Sequence, residues 1–504
     1  LGLAQGTITQ AEYDAMINYI SYTQVSSAGN STNNFYADLS GDMFDLPGGT
    51  AAFAVGVEYR RDSAFSQPDA LVAGGGSSDN FAEPTKGWTK AEEVYLEVYL
   101  PFLEGVTGFQ ELNVQAAVRY SDYSGNGTVG NDEIEANIGS ATTPSIGFTW
   151  RPIESLMVRG NWGETFRAPS VSDLYGGGGE SFPTANDPCA SNNWDNQSST
   201  TQANCIAAGV PDGGAEQPTS QLRTLVGGNP FLTPEQGENI TLGFVWTPGF
   251  AENLEVIVDY WNIELEDAQS TFGPQYILNQ CYIEGSEGAC NFVARQPNGQ
   301  VEVVRTAAFN AAERRVAGID WSVRYLWDTN AFGTFRFSWD NTWTDYDETK
   351  IGEDDDWNDM IGIYQGATNW EYRSNFTTQW LWGNFQTTWT MRYMSELEED
   401  CWVHYYGIGD IDPNSATYDP IMCSDPTKTN IYDDTGVNYL DATLYHDLQV
   451  AWTTPWEGGL VTVGARNILG EEPPLTQNSF AHSFDGAYDL PGGAFWYASY
   501  RHHF

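Results

Sequence analysis

The chain has 504 residues and a net charge of −47, with 41% hydrophobic, 18% charged and 14% aromatic residues. So large a negative charge excludes a general affinity for nucleic acid or for anionic lipid headgroups. No stretch reaches the roughly 18 uninterrupted apolar residues of a membrane helix. A membrane protein with this sequence would therefore be a β-barrel, which also satisfies its backbone in lipid.

Residues 1–33 are polar, and we interpret them as part of an external loop. Within them, Thr9 to Ile20 predicts a short helix with Thr9 as its N-cap. Residues 34–504 show alternation at period two, which predicts strands. The clearest case is 91–101, where Val94 and Leu96 share one face and Glu93 and Tyr95 the other. We predict fifteen strands, near 34–45, 51–62, 91–101, 110–122, 143–151, 155–163, 237–247, 253–264, 303–326 (with a bend near 310–313), 333–345, 368–381, 384–395, 440–453, 459–468 and 494–504.

The connections between these strands alternate strictly between short and long. A transmembrane antiparallel β-barrel of the outer membrane has this pattern, with short periplasmic turns and long extracellular loops, whereas a soluble sandwich has no reason to show it. The short connections are 46–50, 102–109, 152–154, 248–252, 327–332, 382–383 and 454–458. The long ones are 63–89, 123–142, 164–236, 265–302, 346–367, 396–439 and 469–493.

The last strand, 494–504, ends on the aromatic residue Phe504, which we interpret as a C-terminal signal for the barrel assembly machinery. With Phe504 on the periplasmic side, counting back through fifteen strands places Leu1 in an external loop. Closed bacterial barrels normally have an even number of strands. We therefore expect an odd number of further strands upstream, so that this chain is the C-terminal part of a larger barrel.

The six cysteines form three close pairs, each within one long connection. This arrangement predicts disulfides formed in an oxidising compartment, and no zinc knuckle is present. The predicted disulfides are Cys189 with Cys205, Cys281 with Cys290, and Cys401 with Cys423.

No catalytic constellation is present: the chain lacks a His-Glu-x-x-His motif, a nucleophile elbow and a P-loop. We therefore predict that it is not an enzyme and that it uses no cofactor. One acidic group could gather a structural divalent cation, although a solvated acidic loop explains the same residues. That group is Glu353, Asp354, Asp355, Asp356 and Asp359.

Two segments resemble motifs of the TonB-dependent outer-membrane receptors. The first resembles the family's "F-R-A-P" segment, and the second its "G-N-P-x-L-x-P-E" motif. The matching residues are Phe166, Arg167, Ala168 and Pro169, then Gly228, Asn229, Pro230, Leu232, Pro234 and Glu235.

The resemblance implies a 22-stranded barrel in the outer membrane of a Gram-negative bacterium, of which these strands would be the last fifteen. It also implies energised uptake of a scarce nutrient, driven by the TonB system through an N-terminal plug. The plug does not lie within this chain. Our hypothesis is that the N-terminal part of the receptor is a second chain that pairs with this one. The alternative function is a passive porin or a surface-interaction or assembly barrel.

The composition of the loops bears on the substrate. Loops 164–236, 346–367 and 396–439 hold 25 acidic residues and four basic ones, whereas a trap for anionic siderophores would display arginine and lysine. Aromatic rings exposed in these loops could stack on a ligand, or they could simply pack the loops. A glycan, a peptide or a neutral or cationic chelate is therefore favoured over an anionic siderophore. The candidate ligand-binding residues are Trp194, Trp357, Trp402, Tyr405 and Tyr406.

Overall fold

The computed structural model describes residues 8–130, 132–351, 356–401, 423–429, 435–456, 458–476, 478–479 and 483–503. Fifteen long strands pair antiparallel with their neighbours in chain order. They are β1 (Ser27–Leu46), β2 (Gly49–Gln67), β3 (Thr85–Val106), β4 (Phe109–Val129), β5 (Asp132–Ile153), β6 (Leu156–Arg167), β7 (Glu235–Trp246), β8 (Leu254–Thr271), β9 (Val301–Asp328), β10 (Thr334–Ile351), β11 (Tyr372–Trp382), β12 (Phe385–Met394), β13 (Thr443–Thr453), β14 (Gly459–Arg466) and β15 (Phe495–His502).

The helices precede β1 or lie in the connections. The first has the predicted cap, because Thr9 and Glu12 form a reciprocal capping box. None of the helices in the described residues is both long and apolar enough to cross a membrane. The helices are α1 (Gln10–Ile20), α2 (Ala70–Ala73), α3 (Val171–Tyr175), α4 (Ser199–Ala207), α5 (Pro274–Tyr282) and α6 (Glu287–Cys290). Short strands in the connections are Gly179–Ser181, Thr224–Gly227, Val293–Arg295, Asn358–Asp359, Leu397–Asp400, Asp425–Thr429 and Thr435–Leu440.

The sheet has one apolar and one polar face. Val94 pairs with Tyr120, and the next residue pair, Glu93 with Ser121, points to the other side. Apolar side chains are exposed on the first face, for instance Leu96 at 45% and Leu242 at 52%. A barrel that turns this face to lipid and the polar face to a wet lumen accounts for the alternation. The predicted all-β transmembrane barrel fold is thus confirmed, with the predicted number of strands.

Several predicted boundaries were wrong. The connection predicted at 123–142 is mostly strand, because β4 and β5 stay paired up to Val129 and Asp132. Likewise β1 begins at Ser27, within the segment interpreted as loop. The bend predicted in β9 corresponds to a register shift against β8 at Ala312, which pairs with Ala268; the neighbouring Asp267 has a φ of 52°.

Within the described residues, the first and the last strand each pair with one other strand. β1 pairs with β2, and β15 pairs with β14. Closure of the barrel by further strands therefore stays a prediction. Phe504, the predicted assembly signal, lies outside the described residues.

Candidate ligand-binding mouth

The longest connections lie at one end of the barrel, which we call the capped end. Connections 168–234 and 272–300 share a core and form the first cap. The described parts of connections 352–371, 395–442 and 467–494 contact one another and form the second cap. The mouth of the barrel between and beneath these caps is the candidate ligand-binding site.

The two sequence motifs meet at the base of the first cap. Arg167 ends β6 and lies directly opposite Glu235, the first residue of β7. Its guanidinium donates two hydrogen bonds to that carboxylate, at 2.5 and 2.9 Å. The backbone N–H of Gln269 on β8 donates to the same carboxylate at 2.6 Å. A charge-assisted bidentate pair of this kind fixes the relative positions of its two side chains. It therefore holds together the two ends of the longest connection, at the point where that connection leaves the barrel.

The remaining motif residues also have structural roles. Leu232 is 1% exposed and packs against α3, while the Asn229 side chain donates to the carbonyl of Ala308 on β9 at 2.9 Å. A Cβ at Gly228 would lie 2.5 Å from the backbone N of Gly176, so no larger residue fits there. Phe166 and Ala168 flank the same core, and Pro169 and Pro234 are buried, whereas Pro230 is partly exposed.

Helix α3 folds inward onto the lumen face of β3 and β4. Its Tyr175 is fully buried, and its ring lies on two glycines: a Cβ at Gly127 would be 2.3 Å from the ring and one at Gly87 2.7 Å. The Phe166 ring packs edge-on against Tyr123 at 5.4 Å. Helix α3 therefore covers part of the mouth. It can pack there only because β3 and β4 have glycine at the positions beneath the Tyr175 ring.

We expect Gly127→Ala to loosen α3, because the added methyl group would overlap the Tyr175 ring. Overpacking of this kind costs about 1–3 kcal/mol, so amide exchange at 171–175 should be faster by an order of magnitude or more. The control is Gly249→Ala, since a Cβ there meets nothing within 4 Å. Unchanged exchange at α3 in Gly127→Ala would contradict this account.

The first cap is a small folded unit joined from two connections. Disulfides Cys189–Cys205 and Cys281–Cys290 each close one connection. Its core contains Trp194, which is 7% exposed. The predicted disulfides are confirmed, and so is Cys401–Cys423 in the second cap.

A buried ion pair holds the two connections of the first cap together. Arg295 donates to both carboxylate oxygens of Asp187, each at 2.7 Å, and the side chains are 6% and 3% exposed. Its Nε also donates to the hydroxyl of Tyr282 at 2.8 Å. Burial raises the pKa of Tyr282, with Arg295 opposing the rise. Burial is the largest single effect on Arg295 and acts against its charge, but the hydrogen bonds and charges of Asp187 and Tyr282 together outweigh it and raise the guanidinium pKa.

The second cap is also joined by buried polar contacts. Glu399 is 2% exposed and accepts hydrogen bonds from the side chains of Asn438 (2.8 Å) and Thr476 (2.5 Å), which belong to different connections. Tyr364, 1% exposed, donates to Asp485 at 2.9 Å. Burial, aided by that carboxylate, raises the pKa of Tyr364. In the described residues, buried polar contacts therefore hold the connections of each cap together.

The predicted aromatic ligand contacts have different surroundings. Trp194 packs inside the first cap, so its ring is not available at the surface in this structure. Trp357 lies against cations of its own chain, 4.2 Å from the Arg315 guanidinium and 5.3 Å from the Lys350 ammonium. The other three, Trp402, Tyr405 and Tyr406, lie outside the described residues. Ligand contact by these aromatics stays a prediction.

The predicted cation site is described in part. Asp359 accepts the backbone N–H groups of Asp347 and Ile361, at 3.2 and 3.0 Å. Asp356 is exposed. Within the described residues no group of three or more His, Cys, Asp or Glu side chains could hold a metal ion. Glu353, Asp354 and Asp355 lie outside those residues.

A cavity of about 470 Å³ opens on the lumen face of β8, β9, β10 and β11. Two neighbouring rows of side chains, set by the strand registers, line it. The upper row is Asp259, Asp320, Thr342 and Arg373, and the lower row is Ile257, Ser322, Asp340 and Asn375. We call this the wall cavity.

The sequence model of a protein family, described as the TonB-dependent-receptor-like β-barrel, matches residues 3–468. The chain belongs to the TonB-dependent receptor family. This confirms the resemblance, and because the family and its solved members are receptors and transporters, it agrees with the prediction that the chain is not an enzyme. No curated protein matches the chain in sequence.

Solved structures share the fold of this receptor chain at low identity. The haemophore receptor HasR of Serratia marcescens, solved with its haemophore and haem, is 12% identical with a TM-score of 0.53, covering 95% of this chain and 60% of its own. The copper transporter OprC is 11% identical (TM-score 0.52; 95% and 57%). The iron transporter FrpB of Neisseria meningitidis is also 11% identical (0.50; 94% and 54%). The chain thus spans less than two thirds of these proteins.

Sequence reasoning missed the lumen residues of this receptor. The wall cavity brings together Asp259, Asp320 and Arg373 from three strands that lie far apart in the sequence. The sequence did contain a signal for these three residues, because each occupies a polar position in a strand of alternating polar and apolar residues. Assigning every strand to its two faces would have placed them in the lumen, although not beside one another.

Proposed function

We propose that this chain forms most of the barrel of an outer-membrane receptor for energised, TonB-coupled uptake of a nutrient. The observation that carries the proposal is a barrel wall with a polar lumen, covered at one end by two folded caps. A passive pore has no need for caps with a buried ion pair and three disulfides. Membership of the family supports the same function.

The orientation follows from the same features. We place the capped end outside the cell, because three disulfides require an oxidising environment and because outer-membrane barrels carry their long loops externally. The C-terminal strand β15 then runs towards the periplasm. The assembly machinery would recognise the barrel there, through the end of that strand.

The energy input requires parts beyond these residues. The solved relatives are longer, since the chain covers 54–60% of the three named above. We propose that a plug, supplied with the N-terminal part of the receptor, occupies the lumen and contacts TonB. Whether that part is continuous with this chain or a second chain can be decided by intact-mass analysis of the native receptor.

For the substrate we propose a glycan, a peptide or a neutral or cationic chelate. The acidic loops support this, and the described basic groups are largely neutralised: in the first cap, Arg295 is paired with Asp187 and Arg223 with Glu180. The hydrogen bond from Arg223 lowers the pKa of Glu180, so that pair stays charged at neutral pH. An anionic siderophore would find few free cations there.

A ligand panel tests both parts of the proposal. We expect peptides or glycans, but not ferric siderophores, to quench the tryptophan fluorescence of the purified receptor. Cells should take up the active ligand only when TonB is present, with a TonB-deficient strain as the control. A response to ferric siderophores alone would refute the substrate class, and TonB-independent uptake would refute the energised mechanism.

A further inference from the structure

The outer face of β1, β2 and β3 changes character above its apolar band. On this face Leu39, Val57 and Val94 are 63%, 55% and 44% exposed, as expected for side chains that meet lipid. The rings of Phe35 and Tyr59 follow on the side of the capped end, 6.4 Å apart, and aromatic rings in this position mark the level of the lipid headgroups. The side chains beyond these two rings therefore face the polar surface of the membrane and not the lumen.

Three cations surround one aromatic ring on this part of the outer face. Lys86 and Lys90 lie two residues before and after Trp88 on β3, so all three side chains point to the same side. Arg61 of β2 is paired in register with Lys90, and its guanidinium lies 4.3 Å from the centre of the Trp88 ring. Like charges on directly opposite residues destabilise a sheet. An anion bound beside Arg61 and Lys90 would remove this penalty.

The charges of this group are available to a ligand. Within the described residues no ion pair or hydrogen bond reaches the ammonium of Lys86, which is exposed. Arg61 touches the Trp88 ring, but in the same part of the chain no oxygen accepts from its guanidinium. Lys90 pairs with Glu92 at 3.3 Å, and this carboxylate is 54% exposed, so the pair is weak. Because all of these side chains point away from the lumen, a plug inside the barrel would leave them uncovered.

A cavity of about 550 Å³ extends from Lys86 and Trp88 across β4 to β5, and we call it the outer groove. The ring of Phe65 borders it and lies over Gly29, where a Cβ would be 2.9 Å from the ring. The paired cations of β2 and β3 lie beside the groove, one residue row closer to the lipid than the Trp88 ring. The polar side chains that line it on the outer face are Ser31, Ser63, Asn126, Thr128 and Glu133.

The outer groove has a positive and a negative end. Lys86, Thr128 and Glu133 lie in one row on β3, β4 and β5. Two strand spacings put Glu133 about 10 Å from Lys86, which is farther than the roughly 8 Å over which charges act at physiological ionic strength. The local charge around Trp88 is therefore positive, although the net charge of the chain is −47.

We propose that the outer groove binds the headgroup of a phosphorylated glycolipid of the outer leaflet. A phosphate lies beside Lys86 and Arg61 and accepts charge-assisted hydrogen bonds from them. A sugar ring packs against the part of Trp88 that lines the groove, with its hydroxyls towards Asn126 and Thr128. A phospholipid without sugar would satisfy the cations but leave the aromatic and amide groups without contacts. The inference goes beyond the proposed function and takes from it only the orientation of the barrel.

Lipid A, a phosphorylated glucosamine disaccharide, is a suitable probe, compared with its monophosphoryl form and with phosphatidylglycerol. Each lipid is added to the native receptor in detergent, and the bound lipid is counted by native mass spectrometry. We expect the receptor to bind lipid A more tightly than either comparison lipid. Lys86→Gln should weaken lipid A binding about three- to fivefold, as the loss of one exposed ion pair predicts. Trp88→Leu should weaken the binding of lipid A but not that of phosphatidylglycerol.

The control variant is Arg336→Gln, which removes a guanidinium from the lumen face, where it donates to Gln379. It should bind lipid A as the unchanged receptor does. Equal binding by Lys86→Gln and Arg336→Gln would overturn the proposal, as would binding of phosphatidylglycerol as tight as that of lipid A, or displacement of lipid A by inorganic phosphate. Uptake distinguishes the two proposals: a receptor that binds lipid A but shows no TonB-dependent uptake would refute the proposed function alone.

Discussion

Replacing Arg295 with methionine is expected to lower the free energy of unfolding of the first cap by about 3–5 kcal/mol, because it leaves a buried carboxylate without its partner. Asp187 is 3% exposed in its side chain, and within the described residues the backbone N–H of Cys189 is the other group that donates to it. Amide exchange across 185–222 measures this local opening. The protected amides should exchange at least a hundredfold faster, while β-strand amides should be unaffected.

Two further variants separate the ion pair from a general effect of mutation. In Arg295→Met with Asp187→Leu, both charges are gone, and replacement of a whole buried pair by apolar residues is often close to neutral. Most of the lost stability should return. Arg151→Met removes an exposed partner of Glu111 and should cost no more than about 1 kcal/mol. If Arg295→Met behaves like Arg151→Met, the ion pair does not hold the cap together.

The barrel could be predicted from the sequence because lipid imposes a strict rule on each strand. Where one face meets lipid and the other water, apolar and polar residues must alternate, as they do at Val94, Glu93 and their neighbours. Beyond the membrane both faces are wet, and this rule lapses. The ends of β4 and β5 near Val129 and Asp132 have a loop-like composition there. Their backbones nevertheless remain paired, which composition does not reveal.

The mouth was less predictable because it depends on contacts between distant segments. Arg167 and Glu235 are 68 residues apart, and only the pairing of β6 with β7 makes them neighbours. Trp194 was expected at the surface, since its own connection is polar. It is buried because a second connection, some 80 residues later, supplies Ile277 and Leu278 to the same core. Local composition contains no information about such a partner.

Removing the Cys189–Cys205 disulfide is expected to destabilise the first cap by about 3 kcal/mol. The bond closes a loop of 16 residues, and a loop of that size constrains the unfolded chain by roughly this amount. Both cysteines are fully buried, so alanine replaces them with little change in polarity. Exchange across 185–222 should accelerate about a hundredfold in the double alanine variant.

Removing the Cys281–Cys290 disulfide in the same way tests whether loop closure is the cause of the stabilisation. That bond closes a loop of nine residues, so the same entropy argument gives it about 0.5 kcal/mol less. Because both loops share one core, loss of either disulfide should expose amides in both connections of the first cap. If each removal affects only its own connection, the two do not fold as one unit. The ion pair between Asp187 and Arg295 would then be a contact between two independent loops.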